Sequence, residues 1–391
     1  MKLKMRVTAL ISVSIIALAA LNCSNPANNA NKQPAPEAAP KPGRWVAQYR
    51  SPASLAYAGT YLAIFSYSGI SVVSRDLVYV CGDMPKSKTG DERIGVIIKT
   101  TDGGQRWTEK QIELPGLQIP TLNAISFVSP DVGWAVGTDS SLSGIVLKTT
   151  DAGTTWAAAR IAHKEIPTTV FFVDENTGWI GGATPAPGED EGVGGPSAIL
   201  ATTDGGRTWE TQYNVPVSIH RIFFLDKVTG WASGSRGAMY HTTDGGRTWD
   251  TQKTELEMGD GPVDPNSENA KQFAMKSVYF TDRENGFAAA GAAEAHAGRV
   301  ITTSNGGVTW RRTWITVGNG VQDVFFLNPN EGWAVIDGSG QYVYRTVDGG
   351  RSWLSESIIF EQDVILRRIG AADTEHVWAV GGGAIFFRVH D

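Results

Sequence analysis

Cysteine is nearly absent: Cys23 and Cys81 are the only two in 391 residues, so no disulfide framework can hold the loops. The six histidines, His163, His220, His241, His296, His376 and His390, are scattered without paired metal-ligand spacing, and no metal site is expected. Basic runs are missing and the formal charge is −6, which removes nucleic acid from the expected partners. No catalytic constellation stands out, and no cofactor is expected. The one long apolar run, Val7 to Leu21, is too short and too poorly flanked for a stable membrane span. In abundance instead are Gly, 45 residues, and Trp, 13, with 41% hydrophobic residues overall. Such a composition suits a large core built from many short strands and turns.

Lys2, Lys4 and Arg6 precede the apolar run, the basic-then-hydrophobic order of a secretory signal. Residues 1–22 are therefore expected to be removed on export, leaving a net charge of about −9. Ala20-Leu21-Asn22-Cys23 resembles a bacterial lipoprotein cleavage site, at which Cys23 becomes the acylated first residue. Ordinary cleavage nearby, with Cys23 a free thiol, is the alternative. Residues 23–42 are mostly Asn, Ala, Pro and Lys, with little to bury, and read as a disordered tether. These features predict a membrane-anchored lipoprotein on a periplasmic or other extracytoplasmic face.

The remaining chain, 43–391, is a repeat. Thr242-Thr243-Asp244-Gly245-Gly246-Arg247-Thr248-Trp249 has close copies at Thr100 to Trp107, Thr149 to Trp156, Thr202 to Trp209, Thr303 to Trp310 and Thr346 to Trp353. A period of roughly fifty residues marks a repeat architecture. In each octet the acid or amide, Asp102, Asp151, Asp204, Asp244, Asn305 or Asp348, is placed to accept backbone amides, Gly to supply a positive φ, and Trp to anchor the departing strand. The octets are thus structural hairpin clasps.

Upstream of each clasp recurs a second element, typified by Gly133-Trp134-Ala135-Val136-Gly137 and Val377-Trp378-Ala379-Val380-Gly381, in seven copies. An apolar strand and a short polar turn precede it. The unit is strand a, turn, strand b, strand c, clasp, strand d, and predicts an all-β fold: a seven-bladed β-propeller of four-stranded antiparallel blades. The seventh unit ends before any clasp. Gly43-Arg44-Trp45-Val46-Ala47-Gln48-Tyr49 matches the strand after the third clasp with one residue omitted, so an N-terminal strand is expected to complete the last blade and close the ring. Cys81 falls where the next unit has Val136, which makes it a buried core residue.

In this order the a–b turns and clasps share one regular face. The b–c and d–a loops, including Met84 to Gly95, Thr138 to Gly144, Ala183 to Pro196, Ala292 to Gly298, Glu113 to Leu122 and Glu255 to Met275, share the other. Variable loops on a rigid scaffold are the usual place of function. Strand a should be innermost, and its start is polar at His220-Arg221, Lys276-Ser277, Gln322-Asp323 and Arg367-Arg368. Arg221, Arg236, Lys276, Arg367 and Arg368 are the candidate partner-binding residues, a cationic cluster at the mouth of a central channel; solvated strand ends are the alternative. Glu189-Asp190-Glu191 reads as a solvated acidic loop because it lacks the fixed spacing of a cation site.

With these residues in place, the octets resemble Asp-box, or BNR, repeats. Units such as Val324 to Trp353 resemble the photosystem II stability/assembly factor family of seven-bladed propellers. The resemblance implies a non-catalytic lumenal or periplasmic chaperone, often a lipoprotein, that binds an early membrane subunit of photosystem II through a basic patch; for this chain a membrane or envelope protein partner and a monomeric state are expected. The alternative class is a BNR-repeat glycoside hydrolase, sialidase or xyloglucanase-like. For that class Asp323 and Asp337 are the only carboxylates near channel or loop positions, and the Phe/Tyr-Arg-Ile-Pro motif of sialidases is missing from the N-terminal blade.

Overall fold

Every blade starts from an apolar strand of six to eight residues whose alternate side chains are buried. The computed structural model describes residues 42–51, 65–87, 92–184, 195–254, 273–292, 298–314, 320–336, 342–359 and 364–390. Cys23, the signal segment, nearly all of the tether, Glu189-Asp190-Glu191, His296, Asp337 and residues 255–272 lie outside them.

The described residues form seven four-stranded antiparallel units, spanning 66–111, 121–160, 166–215, 219–251, 273–314, 321–359, and 366–389 together with 44–50. We number them blades 1 to 7. Each strand a contacts the strands a of both neighbours, and that of blade 7 meets that of blade 1, so the seven inner strands encircle one axis. Backbone amides are shared between them. Phe127 N donates to Ser71 Oγ, Phe172 N to Ser126 Oγ, and Ile222 N to Thr169 Oγ1, each from one blade to the preceding one.

The core lies between blades. Seven hydrophobic clusters fill the seven blade junctions, and an aromatic triad recurs in five of them. Trp134 of strand b stacks on Phe172 of the next strand a at 3.6 Å between centroids, and Phe172 meets Trp209 of strand d edge-on at 85°. The same arrangement joins Tyr79, Phe127 and Trp156; Trp179, Phe224 and Trp249; Trp231, Phe280 and Trp310; and Phe287, Phe326 and Trp353. Each such contact contributes roughly 0.5–1.5 kcal/mol beyond burial.

The glycine before the strand-b aromatic follows from this packing. A Cβ on Gly178 would stand 2.5 Å from the ring of Phe172 paired opposite it. Where strand a ends in Val72 or Ala371 in place of Phe, the opposing residue is Val78 or Val377, and the space is filled from the other side.

The clasps form as their chemistry requires. In the fourth, Asp244 Oδ1 accepts Thr248 N at 2.9 Å and Thr242 Oγ1 at 2.8 Å, Oδ2 accepts Thr248 Oγ1 at 2.7 Å, and Gly245 and Gly246 have φ of 78° and 90°. These bonds favour the charged carboxylate, and the Thr248 hydroxyl is the largest cause that holds Asp244 down at about 2. Trp134, Trp179 and Trp231 donate Nε1 to the clasp carbonyls of Gly205, Gly245 and Gly306 in the following blade, at 3.0 to 3.2 Å.

Arg44–Arg50 supplies strand d of blade 7. It pairs antiparallel with Ala384–Val389 and adds a short parallel pairing, Trp45 with Ile358 and Val46 with Ile359, to blade 6. A wholly buried ion pair pins this seam. Arg388 Nη2 lies 2.8 Å from Glu356 Oε1, and Glu356 also accepts Gly43 N at 2.9 Å and Trp45 Nε1 at 3.1 Å. Around the ring two loops differ from expectation. Strands b and c of blade 1 run through Pro85 and from Arg93, so part of the predicted Met84 to Gly95 loop is ladder, with Asp83 and Arg93 paired across it. The Glu113 to Leu122 loop folds its own hairpin, Glu113–Leu114 with Leu117–Gln118.

Candidate functional site at the channel mouth

All seven inner strands carry a β-bulge at one equivalent position, between Tyr67/Gly69, Leu122/Ala124, Pro167/Thr169, Ile219/Arg221, Met275/Ser277, Val321/Asp323 and Leu366/Arg368. The extra residues are Ser68, Asn123, Thr168, His220, Lys276, Gln322 and Arg367, all polar. An added residue turns a side chain out of the alternation and leaves it unpaired with the neighbouring strand. The bulge also explains the last glycine of the Gly-Trp-x-x-Gly element. A Cβ on Gly82, Gly137, Gly234 or Gly381 would come within 2.3 Å of the carbonyl two residues before the bulge residue.

These residues therefore form a ring near the start of strand a, at the end of the channel opposite the clasps. Two of them link consecutive blades. Asn123 Nδ2 donates to Pro167 O at 2.8 Å, and Thr168 Oγ1 to Ile219 O at 2.5 Å. Beyond Thr168 the ring turns cationic.

His220 Nε2 lies 3.0 Å from Ser235 Oγ; burial first, then Lys276 and Arg368, push its imidazole down to about 3, so it is neutral at pH 7. Arg368 keeps some surface in the channel but is surrounded by protein. Burial lowers its guanidinium to about 10, Asp323 opposes that shift, and Arg221 and Arg367 reinforce it. Asp323 itself is buried, with Oδ2 accepting Ile369 N at 3.1 Å and Oδ1 left without a hydrogen bond.

Of the five candidate residues, Arg221 and Arg367 each act on Arg368, and Lys276 and Arg368 both act on His220. Arg236 is joined less closely. It occupies the blade 4 b–c turn at φ 58°, beside Ser235, which bridges to Ala274 of the next inner strand, and its Nε is buried without a hydrogen bond. Cys81 is fully buried, its thiol pushed up by burial, at the same level as Arg368. Among the described residues no group of three or more His, Cys, Asp or Glu could hold a metal ion.

Sequence reasoning located the polar strand starts but not the bulge that presents them. The signal was available: one extra polar residue stands between the two apolar positions of strand a in every unit. It also missed the Glu356–Arg388 seam, because both residues sit on strands that otherwise follow the repeat.

Fold and site together define a closed Asp-box propeller with a seven-membered polar ring at one end of its axis. Residues 90–178 match the sequence model of a family described as "Photosynthesis system II assembly factor YCF48". The chain is similar in structure to YCF48 bound to a D1 peptide, with a TM-score of 0.61 and 16% identity over 90% of this chain and 98% of that one. It is similar also to YCF48 from Cyanidioschyzon merolae, with a TM-score of 0.58 and 17% identity over 84% and 96%. The GH74 xyloglucanase from Xanthomonas campestris aligns with a TM-score of 0.56 and 13% identity over 88% of this chain but 53% of its own. No curated protein matches the sequence. At these identities the structural likenesses establish the fold; with the sequence match they make this chain a BNR-type propeller like the photosystem II assembly factors.

Proposed function

We propose that this protein is a non-catalytic assembly or stability factor that binds a segment of a membrane or envelope protein at the basic mouth of its channel, as a monomer. The crowding of Arg221, Lys276, Arg367 and Arg368 carries this reading. Among the described residues Asp323 acts on Arg368 and Asp83 on Arg367, and Asp83 is already paired with Arg93. Guanidinium groups held close together in partial burial gain from a partner carboxylate that restores the charge-assisted hydrogen bonds lost with water. A hydrolase would need two carboxylates facing across a cleft, and the likeness to a xyloglucanase is one of fold alone.

One similar structure is described as bound to a D1 peptide, so a labelled D1 peptide is the first ligand to test. Fluorescence anisotropy should show binding by the wild type and at least a tenfold loss for the Arg221→Ala/Arg367→Ala/Arg368→Ala variant. Equal binding by both would remove the mouth as the contact. In this proposal Cys23 is acylated, residues 23–42 are the tether, and the propeller works on the extracytoplasmic side. Fatty-acid labelling that persists in Cys23→Ala would refute the anchor.

A further inference from the structure

A groove of about 490 Å³ opens on the clasp face between blades 5 and 6, lined by Arg311, Arg312, Arg351, Asn330, Gly349 and Thr313, among others. It exists because blade 5 departs from the repeat. At six junctions at least one long side chain from the upper part of strand c or d reaches into the next blade. Lys99, Lys148 and Gln252 donate to Ala152 O, Gly205 O and Gly306 O, and Gln48 to Gly103 O. Gln212 accepts from Trp179 and packs against Gly246, and Glu356 crosses to Gly43 and Trp45. In blade 5 the corresponding residues are Thr302 and Thr313, whose methyls are what face Gly350. The strand-b aromatic is Phe287, which has no N–H, so among the described residues the Gly349 carbonyl receives no bond of the kind its counterparts accept.

Charge has shifted at the same junction. The clasp of blade 5 carries Asn305 where the others carry Asp. The lining carboxylate, Asp348, is committed to Ser352 and Thr346, while Arg311 and Arg312 form no ion pair among the described residues. Val308 and Val347, next to the lining residues of the two clasps, are 75% and 39% exposed.

We propose that this groove is a second recognition site, independent of the channel mouth, that takes an acidic peptide segment of a partner protein. Arg311 on blade 5 and Arg351 on blade 6 call for carboxylates, the Gly349 carbonyl suits a backbone N–H, and the two valines suit apolar flanks; Arg312 pairs with Ile301 and faces the blade 4 side. A small inorganic anion would use only the first of these.

The test uses the full chain with Arg221→Ala and Arg367→Ala, so that the opposite face contributes less. A fluorescein-labelled hexaglutamate peptide is titrated by anisotropy against this protein, and hexaglutamine serves as the neutral control. Thr313→Gln places in blade 5 the residue that blades 3 and 4 already hold, and fills the groove without changing charge. It should weaken binding about tenfold, as should Arg311→Ala/Arg351→Ala. Both changes, made in the otherwise wild-type chain, should leave D1-peptide binding unaltered. Unchanged affinity in Thr313→Gln overturns the site even if the arginine variant weakens, because that pattern is diffuse surface attraction. Equal binding of hexaglutamine, or displacement by inorganic phosphate at equal concentration, overturns the peptide assignment.

Discussion

The two ends of this propeller are built from the same sevenfold repeat, yet they use it in opposite ways. On the clasp face, Thr, Asp and Gly recur at fixed positions, and their polar atoms are committed to the local backbone: Asp102, Asp151, Asp204, Asp244 and Asp348 each accept the backbone N–H four residues on. At the channel mouth the geometry recurs, since all seven strands bulge, but the chemistry does not: Ser68, Asn123 and Thr168 give way to His220, Lys276, Gln322 and Arg367. A position periodic in both shape and residue type builds the scaffold. A position periodic in shape alone is available for selection by a ligand.

The largest test of this contrast breaks the scaffold under both faces. Glu356→Ala should destabilise the protein by about 3–5 kcal/mol in urea denaturation, because it leaves the buried Arg388 guanidinium unpaired. Replacing both partners by apolar residues should recover part of that loss. Next, the triple alanine variant at the mouth should lose about tenfold in peptide affinity, roughly 1.4 kcal/mol, with a melting temperature close to wild type. Asp244→Ala should show the converse: about 1 kcal/mol of stability lost with the clasp hydrogen bonds, and unchanged binding at the mouth. If Asp244→Ala impaired binding as much as the triple variant, the division between faces would fail.

The smallest effects separate the faces by pH. His220 falls from 6.5 in the unfolded chain to about 3, so its contribution to stability is full above pH 6.5 and is lost as pH falls toward 3. Asp151 and Asp244 are held at about 2, so theirs is full above 3.8 and is lost only as pH falls toward 2. Urea denaturation at pH 7.5 and 5 should therefore show a smaller drop for His220→Asn than for wild type, and no difference in drop for Asp244→Ala.

The blade order, the count of seven and the closing strand at Trp45 were legible because periodicity reports whatever all copies share. Polar strand starts at Arg221, Lys276 and Arg367 were legible for the same reason, as deviations from an apolar strand. What escaped was set by pairing between distant residues. The bulge is fixed by pairing, with Gly234 opposite Ile219, and the seam appears only when Glu356 and Arg388 meet across the intervening Arg44–Arg50 strand. The groove beside Arg311 was hidden for a further reason. Thr302 and Thr313 are unremarkable alone and matter only against the Lys and Gln that fill the equivalent space elsewhere.

Closure by the first strand also fixes an order of events. Among the described residues Arg44–Arg50 pairs with Leu354–Ile359 and Ala384–Val389, so as the chain emerges this strand must wait for its last. Until then blade 7 is incomplete and blade 6 presents an open edge, the condition under which strands pair with the wrong neighbour. The Glu356 carboxylate is the latch of this closure, bonded at once to Gly43, Trp45 and Arg388. The maturation of this ring is thus governed by the meeting of its ends, and a chain delivered without residues 43–50 would have every other blade and still lack a lock.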